Sequence, residues 1–312
     1  MSNDYNKYKK YKTKYLNLKT QQGGSDSLLG YAVFTVPLKL QNITDPTQFA
    51  PGEHQRFWNP TSAILIYGKK DAVLVDTLMT IEDATNLTNW IEMSGKNLIA
   101  IYITHGHGDH FLGANIILKR FPHTQILATK GVIERMHQQT EAGSSLETLF
   151  PGQIPHTPPM PTELRDNEFY LEGHKLIAIE THHTDTDNTT VLYVPDIGLI
   201  VAGDVVYNNV NLHLADSPSK EQRNQWIAAL DKIEKLNPQT VIASHKWSGN
   251  EDHPRNINET RQYIKDFSKL VDETTTAKEL YDKMILFYPH RINRGTLWAS
   301  AMSAKQIKIH HE

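Results

Sequence analysis

The run His105-Gly106-His107-Gly108-Asp109-His110 constrains this chain more than any other feature. It follows directly on Ile101-Tyr102-Ile103-Thr104, an apolar, β-branched stretch of the kind that forms a buried strand. Phe111-Leu112-Gly113-Ala114 then opens an amphipathic helical pattern. In α/β folds the C-terminal end of a strand, just before a helix, is where functional groups are placed. Four groups able to bind a metal fall within six residues. Neutral imidazole and carboxylate suit zinc, and iron or manganese would tolerate the same set. Gly106 and Gly108 read as sharp turning points that let His105 and His107 converge on one centre and Asp109 and His110 on another.

The chain has 312 residues, 16 of them histidine and none cysteine. Disulfides, thiolate ligands and cysteine nucleophiles are therefore excluded, and any metal must be held by His, Asp or Glu. A net charge of −3 gives no whole-chain reason to bind nucleic acid or an anionic membrane. No apolar run approaches the ~20 residues of a membrane span, and the N-terminus lacks an apolar secretory core, so a cytoplasmic chain is expected. Residues 1–27 are dense in Lys and Tyr and include Gly23-Gly24, which reads as a flexible tail. In composition this tail resembles the leaders of many giant DNA virus proteins, which would put the chain in a host cytoplasm.

Short strand-like runs follow at Tyr31–Leu40, Ala63–Tyr67, Ala72–Val75, Leu98–Ile103 and Gln125–Ala128. A second batch comes at Leu176–Ile179, Val191–Val194, Leu199–Ala202 and Val241–Ala243. Helical patterns cover Ile81–Ser94, capped by Thr80, then Phe111–Phe121 and Gln222–Leu236. Asn258–Val271, Ala277–Phe287 and Thr296–Ala304 give the chain a helical end. Strands in two batches with helices between them imply a layered α/β domain over 28–255, with C-terminal helices packed on it over 256–312. The Pro-, Gly- and polar-rich stretch near 136–161 reads as an insertion or lid.

The six-residue run is the His-x-His-x-Asp-His signature of the metallo-β-lactamase superfamily, and further segments resemble that family in order from about Leu28 to Glu251. The resemblance implies a four-layer αββα sandwich, here with a helical C-terminal extension. It gives Asp76 the role of a strand-end Asp supporting the site, Asp204 that of a carboxylate bridging two metals, and His245 that of the last ligand of the second metal. The adjacent pair His182 and His183 leaves two registers for the third ligand of the first metal. Neighbours at a strand end point opposite ways, and Thr184 follows His183 as the motif expects, which favours His183. Two zinc ions are then implied, one on His105, His107 and His183, the other on Asp109, His110 and His245.

A metal-bridging hydroxide would be the nucleophile, with Asp109 accepting and passing a proton. Tyr207 stands at the offset from Asp204 that the family's acyl-lactone hydrolases use for a Tyr, as an oxyanion donor or a packed aromatic. His213 is a pocket candidate; Trp58, Trp247 and Trp298 read by default as packing aromatics. A bridging Asp resembles lactonases, thioesterases of the glyoxalase II type and nucleases, so the expected substrate is a small cyclic ester or amide, a lactone or a β-lactam. A ribonuclease or phosphodiesterase acting on nucleic acid, a thioesterase, and a non-catalytic metal-binding interaction protein are the alternatives.

Overall fold

In the strand Thr61–Tyr67, Ala63 and Leu65 face one way and Ile64 and Ile66 the other, and all four are buried. A strand buried on both faces must lie between two layers. The computed structural model, which describes residues 29–141, 146–155 and 159–309, shows those layers. Ile64 and Ile66 belong to a core with Val73, Val75, Tyr102, Leu176, Leu192, Val201 and Ile242, drawn from two sheets packed face to face. Ala63 and Leu65 pack outward with Leu87, Ile91 and Ile117 of helices on one side. Val191, Ile200 and Val241 do the same on the other side, with Trp226, Leu230, Ile264 and Phe267. Helix, sheet, sheet, helix: the αββα sandwich follows from where the apolar residues are buried.

The strands, in chain order, are β1 (Gly30–Val36), β2 (Lys39–Leu40), β3 (Phe57–Trp58), β4 (Thr61–Tyr67), β5 (Asp71–Val75), β6 (Asn97–Tyr102), β7 (Gln125–Ala128) and β8 (Thr162–Glu163). They continue with β9 (Glu168–Leu171), β10 (His174–His182), β11 (Thr189–Val194), β12 (Leu199–Val201), β13 (Tyr207–Asn208), β14 (Thr240–Ile242) and β15 (His245–Lys246). The first sheet runs β1-β4-β5-β6-β7-β8 and the second β14-β12-β11-β10-β9. β5 and β6 are parallel, as are β12 and β14, while β10 and β12 both run antiparallel to β11. The C-terminal ends of β5 and β6 therefore share one rim with those of β10, β12 and β14. The two sheets are stitched there: Thr190 N–H donates to the Thr104 carbonyl at 3.0 Å, and Ser62 N–H to that of Ser244 at 2.8 Å.

The described helices are α1 (Ile81–Met93), α2 (Gly108–Phe111), α3 (Ala114–Arg120), α4 (Lys130–Glu141), α5 (Leu146–Leu149), α6 (Lys220–Glu234), α7 (Arg255–Glu273), α8 (Ala277–Phe287) and α9 (Arg294–Ile309). Thr80 caps α1, and Ser219 with Gln222 and Thr276 with Glu279 close capping boxes on α6 and α8, which satisfies N–H groups the first turn leaves free. Helices α7 to α9 cover the second sheet and reach back toward the rim, where Asn293 donates to the Phe57 carbonyl and to Asn59. The stretch expected as a lid begins inside α4, with Met136 buried, and also contributes Phe150 and Ile154 to the first sheet's outer core. The Lys/Tyr-rich tail lies outside the described residues. No described helix is long and apolar enough to cross a membrane.

Candidate metal centre

Every histidine and aspartate expected at the centre, His183 excepted, converges on this rim. His105, His107, Asp185 and Asp204 bring one ligand atom each within 4.8 Å of one another, and so do Asp109, His110 and His245. Asp204 connects the two groups: its Oδ1 lies 3.4 Å from His110 Nε2 and its Oδ2 2.9 Å from His245 Nε2. In the first group Asp185 Oδ2 is 2.8 Å from His107 Nδ1 and 3.5 Å from His105 Nε2.

The imidazoles are aimed by what holds their far side. His110 Nδ1 meets Asp76 Oδ2 at 2.8 Å, His245 Nδ1 the Pro60 carbonyl at 2.9 Å, and His105 Nδ1 the Thr104 hydroxyl at 3.0 Å. Asp76 and the Pro60 carbonyl can only accept, so Nδ1 of His110 and His245 carries the proton and Nε2 turns a lone pair inward. Thr104 already donates its hydroxyl proton to Asp76, so His105 must donate too, with the same result. Asp76 itself adopts φ = 61°, a left-handed conformation Asp tolerates better than most residues, and also accepts from Thr104 N–H.

The third member of the first group differs from the sequence expectation. His183 does not enter the cluster: its Nε2 meets Ser217 Oγ at 2.9 Å and its Nδ1 meets Asp187. Asp185 stands there instead. The β10–β11 register breaks between Glu180 and His182, and His182 takes φ = 61°, which turns its own side chain to solvent. The chain then folds back, and Thr184 N–H donates to the Thr186 carbonyl, which drops fully buried Asp185 onto His107. Ser217 donates to the Thr184 carbonyl and so ties this loop down through His183. The one sequence signal was the Asp-rich stretch Asp185-Thr186-Asp187 itself.

Three other expectations change. Gly106 and Gly108 do not adopt positive φ; they make room. A Cβ on Gly106 would come within 2.9 Å of the Arg135 backbone, and one on Gly108 within 2.6 Å of Leu146. Tyr207 is fully buried, and its hydroxyl donates to Asp204 Oδ2 at 2.9 Å, so it orients that carboxylate rather than meeting a substrate. Trp58, read as a packing aromatic, donates from Nε1 to Asp109 Oδ2 at 2.9 Å. His213 lines the cavity above the centre, as do Arg56, Arg135 and Asp216, which the sequence did not single out.

The carboxylates set the electrostatics. Burial opposes charge on Asp204, but His245 and His110 beside it hold its carboxyl well below the usual carboxylate range. Burial likewise opposes charge on His110, yet Asp109, Asp204 and Asp76 push its pKa up to about 10, so a proton takes the Nε2 lone pair whenever no other cation does. His105 goes the other way, down to about 4, through burial and the neighbouring His110. A buried anionic cluster of this kind demands positive charge. The atoms facing its middle have no hydrogen-bond partner: His105 Nε2, His110 Nε2, Asp185 Oδ2 and Asp204 Oδ1 are four of the six such buried side-chain atoms found among the described residues. Unsatisfied ligand atoms gathered in two adjoining groups fit divalent cations.

A family model described as the metallo-beta-lactamase superfamily matches residues 56–245. The chain belongs to that superfamily. It is thereby a metallo-hydrolase, with His and Asp groups placed to hold divalent metal. Solved structures of similar fold include a beta-lactamase domain protein from Burkholderia ambifaria, at 14% identity and TM-score 0.62, covering 94% of this chain and 90% of that one. A metallo-beta-lactamase family protein from Thermus thermophilus shares 18% identity at TM-score 0.58, covering 89% and 93%. A metallo-beta-lactamase from Pontibacter korlensis shares 17% at TM-score 0.53, covering 77% and 96%. At these identities the likeness speaks for the fold alone. No protein of curated function matches the sequence.

Proposed function

We propose that this superfamily member holds two divalent cations, zinc in the first instance, and hydrolyses a small cyclic ester or amide, a lactone or a β-lactam. The observation that carries the reading is the set of four buried, unpartnered atoms facing one another across two ligand groups. His105, His107 and Asp185 would hold one ion, Asp109, His110 and His245 the other, and Asp204 would contact both. Two imidazoles and a carboxylate in the first group also suit iron or manganese. Bound there, such ions would acidify a water molecule and polarise a carbonyl oxygen.

The chain's own residues do the rest. Asp109 lines the cavity with one oxygen held by Trp58, which aims the carboxylate that would both face the cation and exchange a proton between water and the leaving atom. Tyr207 keeps Asp204 oriented. His213, at the cavity wall, would donate to the oxygen on which charge develops. A cavity of about 430 Å³ is the size of a small molecule.

The test is metal content together with a substrate panel on zinc-loaded protein, with and without chelator. The panel holds an acyl-homoserine lactone, a chromogenic cephalosporin, a glutathione thioester, a bis-phosphodiester and single-stranded RNA. Chelator-sensitive opening of the lactone or cephalosporin is expected. Turnover that survives metal removal, or activity confined to RNA, defeats the reading.

A further inference from the structure

We propose that the cavity wall built by Gln41, Arg56 and Arg135 is a subsite for an anionic group on the substrate, a carboxylate or a phosphoryl group. The inference rests on reading the cavity as the substrate site of a hydrolase.

Two guanidinium groups line the same cavity as Asp109, Asp204 and His245, and neither is paired with a carboxylate among the described residues. Arg56 reaches only the Gln48 side-chain oxygen, at 3.5 Å. Arg135 donates from Nε to Thr186 Oγ1 at 2.9 Å and from Nη1 to Gln138 Oε1 at 3.2 Å. Arg120 meets Glu92, Arg255 meets Glu251 and Glu259, and Arg261 meets Asp231 and Glu234, while buried Arg223 and Arg291 are held by backbone carbonyls and aromatic rings; Arg56 and Arg135 are the arginines that face this cavity without a carboxylate. Arg56 is partly withdrawn from water, and burial lowers its pKa with no carboxylate offsetting the cost. A partly buried cation without a counter-ion is a standing free-energy cost that an incoming anion relieves.

The neighbours complete the subsite. Gln41 N–H donates to the Arg56 carbonyl at 3.0 Å, which fixes the two residues side by side. Gln41 is 7% exposed, and its side-chain Oε1 has no partner. That oxygen is an acceptor, so it is the Gln41 Nε2 group that would donate to an oxyanion beside the guanidinium. Arg135 is seated against Gly106, where a Cβ would meet its Cγ at 2.7 Å, so the cation is held close to the ligand-bearing loop. Phe57, Trp58, Leu146 and Leu149 form an apolar part of the wall. The shape and chemistry suit an apolar body carrying one anionic group, gripped by planar, fork-shaped donors.

The test is calorimetric binding to the zinc-loaded, full-length protein, with benzoate, phenyl phosphate and neutral benzamide as probes. Arg56→Gln and Arg135→Gln are each expected to cut the affinity ratio of anion to benzamide about ten-fold, the worth of one charge-assisted hydrogen bond. Arg56→Lys and Arg135→Lys should recover part of it, and serve if a glutamine variant fails to fold. Benzoate losing more than phenyl phosphate identifies a carboxylate site, and the reverse a phosphoryl site. A ratio unchanged in both arginine variants, at wild-type metal content, overturns the proposal. Binding is read without turnover, so a failed substrate panel sinks the hydrolase reading while leaving this ratio standing, and an unchanged ratio leaves hydrolysis untouched.

Discussion

Around Asp109, His110 and His245 each side chain is gripped by a buried or half-buried partner from another part of the chain: Trp58 for Asp109, Asp76 for His110, the Pro60 carbonyl for His245. Around His105, His107 and Asp185 the grip is looser. His107 has only Asp216, at 3.6 Å and half exposed, on its far nitrogen, and Asp185 Oδ1 takes a hydrogen bond from its neighbour Thr184. The loop carrying Asp185 is tied down at one remove, by His183 and Ser217. The comparison teaches that one half of the centre is pre-built by the sandwich, whereas the other depends on a loop and on whatever cation it holds.

The largest effect tests that division directly. Asp185→Ala should lose about one metal equivalent and roughly three orders of magnitude in kcat/KM, ~4 kcal/mol of transition-state stabilisation. His183→Ala should cost ten- to a hundred-fold, the usual range for a residue that orients a ligand. Metal analysis and kinetics on the pair decide the matter, and the reverse order would return His183 to the ligand set. Next in size, Asp76→Asn should weaken the second group's metal affinity about ten- to a hundred-fold in a chelator competition, since the amide no longer enforces the His110 tautomer. Removing metal should raise hydrogen exchange at residues 184–188 more than at 109–111; equal increases would erase the contrast.

Smaller effects sharpen the boundary. Gly106→Ala should destabilise the fold by about 1–3 kcal/mol in denaturant titration, through a clash with the Arg135 backbone rather than through strained φ. At the opposite rim, the Glu172 carboxylate accepts from the N–H groups of Lys69, Lys70 and Asp71, which hold its pKa down to about 2. A carboxyl depressed on folding stabilises above its unfolded pKa of about 4.3, and the benefit fades as pH falls toward 2. Glu172→Gln should therefore lower Tm by a few degrees at pH 7 and by progressively less below pH 4. A pH-independent difference would show that packing, not charge, matters there.

Much of the fold was legible because burial on both faces leaves uninterrupted apolar strands. The run Gln125–Ala128 and the helix Ala277–Phe287 appear with the bounds the pattern implied. The helix expected over Phe111–Phe121 instead starts at Gly108 and breaks at Leu112-Gly113, where Gly113 packs against the Thr77 carbonyl too closely for any side chain. Periodicity records which face is apolar, but not such a contact.

By itself the sequence determined the layered sandwich and the ligands that are close in the chain, because His105 to His110 reach their two centres through one short loop whose course is local. Tertiary structure alone decided that Asp185 and not His183 faces the cluster, since that turns on a register break against β11 and on anchoring by Ser217, 34 residues away. It also decided that Trp58 meets Asp109 across 51 residues and that Arg56 and Arg135 share one cavity. Side-chain direction at a strand end depends on what the next strand and the facing loop leave open, and no pattern within either segment carries that information.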